Sequence, residues 1–294
     1  MNAPLAFSFL VFSALLFGNR LATSSLSAAE IIGGHLVIIG GGHRPASVTQ
    51  RFIQLAGGEN GARLVVISLA SEDVDATAQK TVEEFKALGV SHVEALPAAP
   101  DEAARTLREA NSVYLTGGDQ QRLVDQMARL KAISSLQQVW RRGGVIAGTS
   151  AGAAVMSARM ITGEERGLPT EDERFRSIQV GRIATTNGFG FLTNAIVDQH
   201  FIVRKRSNRL FSAVLEQPQL LGIGIDESTA VIVGPDLLCQ VLGDHNVMLI
   251  DARHTRHVHT DADAHLAATD LRVHLLVSGD RFDIVTGRPV ANPK

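Results

Sequence analysis

The sequence predicts an α/β protein built on a doubly wound, mostly parallel β-sheet, with a β-rich C-terminal part. Two observations carry this prediction. From residue 35 onward, β-branched apolar runs alternate with amphipathic stretches, the order expected of strands and the helices that connect them. Several runs, such as LVVIS and VIAG, are almost wholly apolar, which indicates strands covered by helices on both faces.

The elements of the first half follow from this alternation. The apolar runs predict strands at His35–Ile39, Arg63–Ser68, His92–Leu96, Ser112–Leu115 and Gly144–Ala147. The amphipathic stretches predict helices at Val48–Gly57, Ala76–Leu88, Asp101–Ala110, Gln121–Leu130 and Ser134–Arg142. No Ser/Gly-rich linker interrupts the pattern, so we expect residues 30–294 to form one catalytic domain.

After residue 220 the sequence no longer alternates between predicted strands and helices and instead predicts closely spaced strands. Turns are predicted at Gly234-Pro235 and at Asp244-His245-Asn246. The stretch LRVHLLVSGDRFDIVTGR predicts a final hairpin around Ser278-Gly279-Asp280.

Composition excludes several classes of protein. The chain has 294 residues, of which 45% are hydrophobic, and a formal net charge of −2, so it is neither disordered nor a basic nucleic-acid-binding protein. The single cysteine, Cys239, excludes an internal disulfide and a thiolate-rich zinc site. The four histidines between His254 and His265 lack the spacing of a helical zinc motif, and we assign no metal and no cofactor.

The N-terminal residues resemble a signal peptide rather than a part of the folded domain. Residues 5–17 form an apolar run of signal-peptide length, and Ser27-Ala28-Ala29 provides small residues for cleavage. We therefore expect residues 1–29 to be an export signal, and the mature protein to be secreted or periplasmic and without a membrane segment. The alternatives are a buried helix and a retained membrane anchor.

The strongest chemical signal is the sequence GTSAG at residues 148–152. It lies between an apolar strand and the helix-like run AGAAVMSARM, the context of a nucleophile elbow that exposes Ser150. The Ala151 N–H would then lie at a helix N-terminus and serve as an oxyanion donor. The alternative is an ordinary glycine-rich turn before a helix.

A second turn, TGGDQ at residues 116–120, also follows a strand and precedes a helix. Loops at the carboxyl ends of parallel strands line the site of such sheets, so Gly118 could supply a second oxyanion N–H and Gln120 a polar contact. Alternatively, Asp119 is only a helix N-cap. The Gly40-Gly41-Gly42 run after the first strand does not fit GxGxxG, and nucleotide binding is not expected there.

A third cluster combines a candidate base with several other polar side chains. It contains Asp198, Gln199, His200, Arg204, Arg206 and Arg209. His200 is the expected general base, and arginine forks suit a substrate that carries carboxylates. The acid that orients His200 is Glu227, with the adjacent Asp226 and also Asp198 as rivals.

The motifs GGDQ, GTSAGA and DQHFxxRxRxxRL, in this order after a strand ending in GGG, resemble cyanophycinase. That family of serine peptidases is shared with aspartyl dipeptidase, and the resemblance runs from about residue 35 to at least residue 233. It implies a class I glutamine amidotransferase-like fold and a Ser150-His200-Glu227 triad. The positions that it implies for substrate binding are Gln120, Asp198, Gln199, Arg204, Arg206 and Arg209.

The same resemblance implies the substrate. Cyanophycinases cut cyanophycin, a polyaspartate that carries arginine on its side-chain carboxyls, into β-Asp-Arg dipeptides. It also implies a homodimer, whereas the expectation of no nucleic-acid partner comes from the charge balance. Two alternatives remain open, an aspartyl dipeptidase-like hydrolase of small acidic peptides and a non-catalytic binding protein with the same fold.

Overall fold

A nine-stranded sheet dominates the computed structural model, which describes residues 33–167 and 177–291. The described residues belong to one compact unit, Ile32–Lys294. The predicted export signal at residues 1–29 lies outside the described residues. Among the residues that are described, no helix is both long enough and apolar enough to cross a membrane.

Half of the large sheet is parallel, in the order β3-β2-β4-β5-β1. Its strands are β1 (Leu36–Ile39), β2 (Arg63–Ile67), β3 (His92–Ala95), β4 (Ser112–Leu115) and β5 (Val145–Thr149). Each lies within two residues of a predicted strand. The apolar runs predicted β1, β2, β4 and β5 correctly because both faces of the sheet are buried there, whereas β3 is a largely exposed edge strand.

Helices cover this half on both sides, which confirms the mixed α/β fold. They are α1 (Ala46–Leu55), α2 (Gly58–Gly61), α3 (Val74–Ala87), α4 (Pro100–Glu109), α5 (Gln120–Arg129) and α6 (Ile133–Arg141). Alternate strand residues face opposite layers: Val37 and Ile39 pack with α1 and α3, whereas Leu36 and Ile38 pack with α4, α5 and α6.

The other half of the large sheet is antiparallel, so the prediction of a mostly parallel sheet holds for only one half. Beyond β1 lie β10 (Thr229–Val233), β11 (Leu238–Gly243), β16 (Arg281–Asp283) and β17 (Arg288–Val290). Short turns join β10 to β11 and β16 to β17, and strands so joined can pair only antiparallel.

A second sheet has the strand order β15-β12-β9-β8. Its strands are β8 (Ala195–Gln199), β9 (Leu221–Ile225), β12 (Val247–Asp251) and β15 (Arg272–Leu276), and α8 (Ser207–Glu216) connects the parallel pair β8 and β9. The predicted hairpin around Ser278–Asp280 is wrong. β15 pairs with β12 and β16 pairs with β11, so the turn passes from one sheet to the other.

Two small hairpins complete the described fold: β6 (Arg159–Glu165) with β7 (Ile183–Asn187), and β13 (Arg256–Thr260) with β14 (Leu266–Thr269). The helix-like run at residues 151–160 forms only one turn, α7 (Ala151–Ala154). The helix ends there because the carbonyls of Val155 and Met156 accept hydrogen bonds from Phe189 and Leu192 instead.

Candidate active site

Ser150 lies on a sharp turn between β5 and α7, at the carboxyl edge of the parallel strands. Its backbone has φ +53° and ψ −114°, a conformation that a serine adopts only when its surroundings hold it there. The Ser150 N–H donates to the Ile39 carbonyl at 3.0 Å. A Cβ on Gly148 would lie 2.3 Å from the Gly152 carbonyl oxygen, so the glycines of GTSAG allow the chain to fold back on itself.

His200 follows directly after β8 and faces Ser150 from the second sheet. Its Nε2 lies 2.8 Å from Ser150 Oγ, and its backbone N–H donates to the Gly40 carbonyl at 2.7 Å. A Cβ on Gly41 would lie only 2.2 Å from the imidazole Cε1, so the His200 ring lies directly against the glycine backbone. This arrangement buries His200 while keeping Nε2 on the serine.

Glu227, and not its neighbour Asp226, contacts the imidazole. Glu227 Oε1 lies 2.5 Å from His200 Nδ1, on the turn that joins β9 to β10. Asp226 Oδ1 instead accepts the N–H groups of Ile202 and Val203, both at 3.1 Å, and so braces the loop after His200. A carboxylate can only accept, so Nδ1 carries the proton and the Nε2 lone pair faces the serine hydroxyl.

Burial lowers the pKa of His200 below its ordinary value. The hydrogen bond that Nδ1 donates to Glu227 raises the pKa, whereas the positive charges of Arg204 and Arg206 lower it further. The imidazole is therefore neutral at neutral pH, the state in which it can accept a proton.

Two backbone amides lie beside the serine. A Cβ on Gly117 would lie 3.3 Å from Ser150 Cβ, which places the Gly117-Gly118 turn against the elbow. The Asp119 N–H donates to the Ala70 carbonyl at 2.9 Å and holds this turn in place. Within residues 33–167 and 177–291, no protein acceptor receives the N–H of Ala151 or of Gly118.

Asp198 and Arg209 differ from the expectation that both contact substrate. They form a two-pronged ion pair, Arg209 Nε to Asp198 Oδ2 at 2.6 Å and Arg209 Nη2 to Asp198 Oδ1, and each residue is only 1% exposed. Buried charges require such pairing, and the pair joins α8 to the end of β8. In this structure neither side chain is open to a ligand.

Gln120, Gln199 and Arg206, the other residues predicted to bind substrate, are hydrogen-bonded to the protein itself. Gln120 Nε2 donates to the carbonyls of Ile161 and Thr162 at 3.1 and 2.7 Å and is buried beneath β6. Arg206 donates to the backbone and side-chain oxygens of the buried Gln199, at 2.6 and 2.5 Å.

The arginines of the cluster are not equivalent. Burial, with Arg209 next to it, lowers the pKa of Arg206 to about 10. Arg204 is exposed, whereas Arg206 is half-buried and Arg209 is buried.

Sequence reasoning found no role for Gly40-Gly41-Gly42, although the three glycines form the backing of the base and the acid. A Cβ on Gly42 would lie 2.9 Å from Glu227 Oε2. The signal available in the sequence was the triple glycine itself at a strand end, a sign of close backbone approach.

Other reactive groups lie away from the serine. Cys239 is buried in β11, and burial raises the pKa of its thiol to about 12. The exposed side chains of Asp261, Asp263 and His265 lie within 4.8 Å of one another near the β13–β14 hairpin. His265 Nδ1 and Asp261 Oδ2 lie 3.0 Å apart, a contact that accounts for this grouping without an ion.

Comparisons with known proteins identify the family of this chain. Residues 36–238 match the model of Peptidase family S51. Cyanophycinase from Synechococcus elongatus is 33% identical over 267 residues, 86% of this chain and 80% of that protein. Cyanophycinases from Nostoc sp. (strain PCC 7120) and Geminocystis herdmanii are 34% and 32% identical over 275 residues, covering 90% and 89% of this chain and 88% and 98% of those proteins.

Two solved structures share the fold. A peptidase from an acI-B1 actinobacterium superposes with a TM-score of 0.57 at 23% identity, covering 85% of this chain and 97% of that one. A putative peptidase E from Listeria monocytogenes EGD-e gives a TM-score of 0.51 at 16% identity, covering 72% of this chain and 98% of that one.

Proposed function

The chain belongs to peptidase family S51 and is a serine-type peptidase, and from this premise we propose that it hydrolyses cyanophycin to β-Asp-Arg dipeptides. The observation that carries the proposal is the continuous hydrogen-bonded series Ser150–His200–Glu227 in a chain about one third identical to cyanophycinases. The proposal includes the class I glutamine amidotransferase-like type of fold.

The chemistry follows from the orientation of the three side chains. His200 Nε2 takes the proton of Ser150 Oγ as the oxygen attacks a backbone carbonyl of the polymer. The imidazolium, held by Glu227, then protonates the leaving amine, and an acyl-enzyme remains on Ser150. Water, deprotonated by the same imidazole, attacks this ester and releases the dipeptide.

The negative charge of each tetrahedral intermediate needs donors at the elbow. We assign this role to the N–H groups of Ala151 and Gly118, which flank Ser150 and have no other acceptor among the described residues. The loss of one such donor typically costs about 3–4 kcal/mol of barrier.

Each unit of cyanophycin presents the free α-carboxylate of an arginine, and we assign its recognition to Arg204. Arg204 is the exposed member of the cluster, and a guanidinium binds a carboxylate through two parallel hydrogen bonds. Arg206 and Gln199 form the next layer. Asp198, Arg209 and Gln120 shape the pocket from beneath, because their polar atoms already have protein partners.

Digestion of purified cyanophycin by the full chain tests the proposal, with β-Asp-Arg detected by mass spectrometry and Ser150→Ala as the blank. Release of the dipeptide by the native protein alone is the expected result. A folded protein that leaves the polymer intact contradicts the substrate assignment. Cleavage of Asp-X dipeptides without cleavage of the polymer would instead identify an aspartyl dipeptidase-like enzyme.

The proposal extends to location and assembly. We propose that residues 1–29 direct export, that the mature protein acts outside the cytoplasm, and that it forms a homodimer. N-terminal sequencing of material recovered from the medium and periplasm tests the first two points, and light scattering tests the third. An N-terminus at Met1 in the mature protein would contradict cleavage.

A further inference from the structure

A cationic side chain, Arg44, follows the Gly40–Gly42 loop that lies against His200 and Glu227. Arg44 follows Gly40-Gly41-Gly42 by two residues, and its guanidinium lies 4.9 Å from the centre of the Tyr114 ring and 5.4 Å from that of Phe85. It donates to the Tyr114 hydroxyl, to Glu84 at 2.9 Å and to Thr49 at 3.1 Å. Four partners hold this arginine in one place.

Tyr114 continues the connection toward the nucleophile. Tyr114 pairs with Ala147 of β5, and Thr149, the residue before Ser150, lies two residues further along the same strand, on the same face. An arginine can only donate, so the Tyr114 hydroxyl accepts from Arg44.

The same loop touches the other two catalytic groups. The backbone of Gly41 lies against the imidazole of His200, and that of Gly42 against Glu227. The segment Gly40–Arg44 therefore contacts the base and the acid at one end and, through Tyr114, the strand that carries the nucleophile at the other. Tyr114 is 2% exposed, so water does not compete for these hydrogen bonds.

We propose that Arg44 and Tyr114 are positioning residues that hold the Gly40–Gly42 backing of His200 and Glu227 at a constant distance from Ser150. The role rests on the proposed function of this site, and neither side chain touches substrate. Rearrangement of this link moves the base relative to the nucleophile, and misplacement by about 1 Å costs a reaction of this kind on the order of 100-fold.

Tyr114→Phe is the central test, because it removes one hydroxyl and keeps the ring. We expect kcat for cyanophycin to fall by roughly 10-fold, with KM within about twofold of the native value. Arg44→Met, which removes the whole anchor, is expected to lower kcat further. Phe52→Leu is the matched control, since Phe52 packs against the rings of Tyr114 and Phe85 but has no part in the hydrogen bond between Arg44 and Tyr114. This control should lower the melting temperature and leave kcat unchanged.

A second readout does not depend on the substrate. The pKa of His200, measured by NMR titration, should rise in Tyr114→Phe, because a loosened Gly41 admits water to the imidazole. The charged groups that act on His200, namely Glu227, Arg204 and Arg206, are the same in every variant. Combining Tyr114→Phe with Arg44→Met should add little to Arg44→Met alone, because both remove the hydrogen bond between these two residues.

The outcomes separate the positioning role of Arg44 and Tyr114 from the proposed activity on cyanophycin. An unchanged kcat and an unchanged His200 titration in Tyr114→Phe overturn the link, as does an equal loss of kcat in Phe52→Leu. A native protein that leaves cyanophycin intact overturns the proposed substrate, while the His200 titration still decides the positioning role.

Discussion

The backbone of Gly41 and the imidazole of His200 are in direct contact, with no space for a side chain between them. A Cβ on Gly41 would lie 2.2 Å from Cε1 and 2.4 Å from Nε2, and the residue has φ +105°. We expect Gly41→Ala to displace the imidazole and reduce kcat by at least roughly 100-fold, since the base loses its alignment with Ser150. Hydrolysis rates of the purified variant check this expectation.

Gly143→Ala is the control for backbone strain alone. Gly143 has φ +90°, but no atom lies within 4 Å of the position that its Cβ would take. This variant should lose stability by about 1 kcal/mol and keep its catalytic rate. Equal loss of activity in both variants would mean that backbone strain, and not contact with the base, explains the effect.

Replacement of the nucleophile separates chemistry from folding. Ser150→Ala should reduce kcat by at least about 1,000-fold, because it removes the hydroxyl that faces His200 Nε2. Its circular dichroism and melting temperature should remain close to the native values. Retained turnover would exclude Ser150 as the nucleophile.

The acidic limb of the pH profile reports on His200. The base must be neutral, and burial lowers its pKa, so kcat/KM should persist below pH 6.5 and decline as pH falls through the lowered value. Arg204→Gln removes a positive charge that disfavours the imidazolium, which moves this limb to higher pH. Glu227→Gln removes a group that favours the imidazolium, and we expect the acidic limb to move to lower pH. Shifts in the same direction would contradict this assignment.

Arg204 and its neighbour Lys205 provide a matched pair for substrate recognition. Both side chains are exposed and positively charged, but Lys205 lacks a planar fork for a carboxylate. Arg204→Gln should raise KM for cyanophycin by about 10- to 100-fold, the value of a charge-assisted hydrogen bond, and change stability by less than about 0.5 kcal/mol. Lys205→Gln should leave KM almost unchanged. Equal effects would indicate general electrostatic attraction.

In contrast to Arg204, we expect Arg209 to contribute to stability. Arg209→Met leaves the buried carboxylate of Asp198 without its main partner, and we expect a loss of about 3–5 kcal/mol in the free energy of unfolding. The double variant Asp198→Leu/Arg209→Met should recover most of this loss, because it removes both buried charges. Urea denaturation measures each value. A single variant as stable as the native protein would contradict a structural role for the pair.

Local features of the chain predicted the parallel strands and placed Ser150 correctly between strand and helix. The buried strands are continuous apolar runs, and the elbow is contained in five consecutive residues. The depth of Asp198 could not be predicted, because it depends on α8 bringing Arg209 back onto the end of β8. The alternation of strand residues likewise placed Asp226 and Glu227 on opposite faces, but the turn between β9 and β10 decides which carboxylate meets His200.

The pairing partners of the C-terminal strands also could not be predicted from the sequence. Leu276 and Arg281 lie only five residues apart, and the turn between them predicted a hairpin. Each strand instead pairs with an earlier strand in a different sheet: His274 pairs with Leu249, 25 residues back, and Phe282 pairs with Cys239, 43 residues back. Pairing of this kind depends on the tertiary arrangement and leaves no local pattern.

The two sheets divide the catalytic groups between them. Ser150 ends a strand of the nine-stranded sheet, His200 ends a strand of the four-stranded sheet, and Glu227 lies where the chain crosses from one to the other. A chain in which only one sheet has formed keeps its nucleophile and base apart. The 2.8 Å contact between Ser150 Oγ and His200 Nε2 therefore exists only when both sheets are in place, so the pair reports on the assembly of the whole fold.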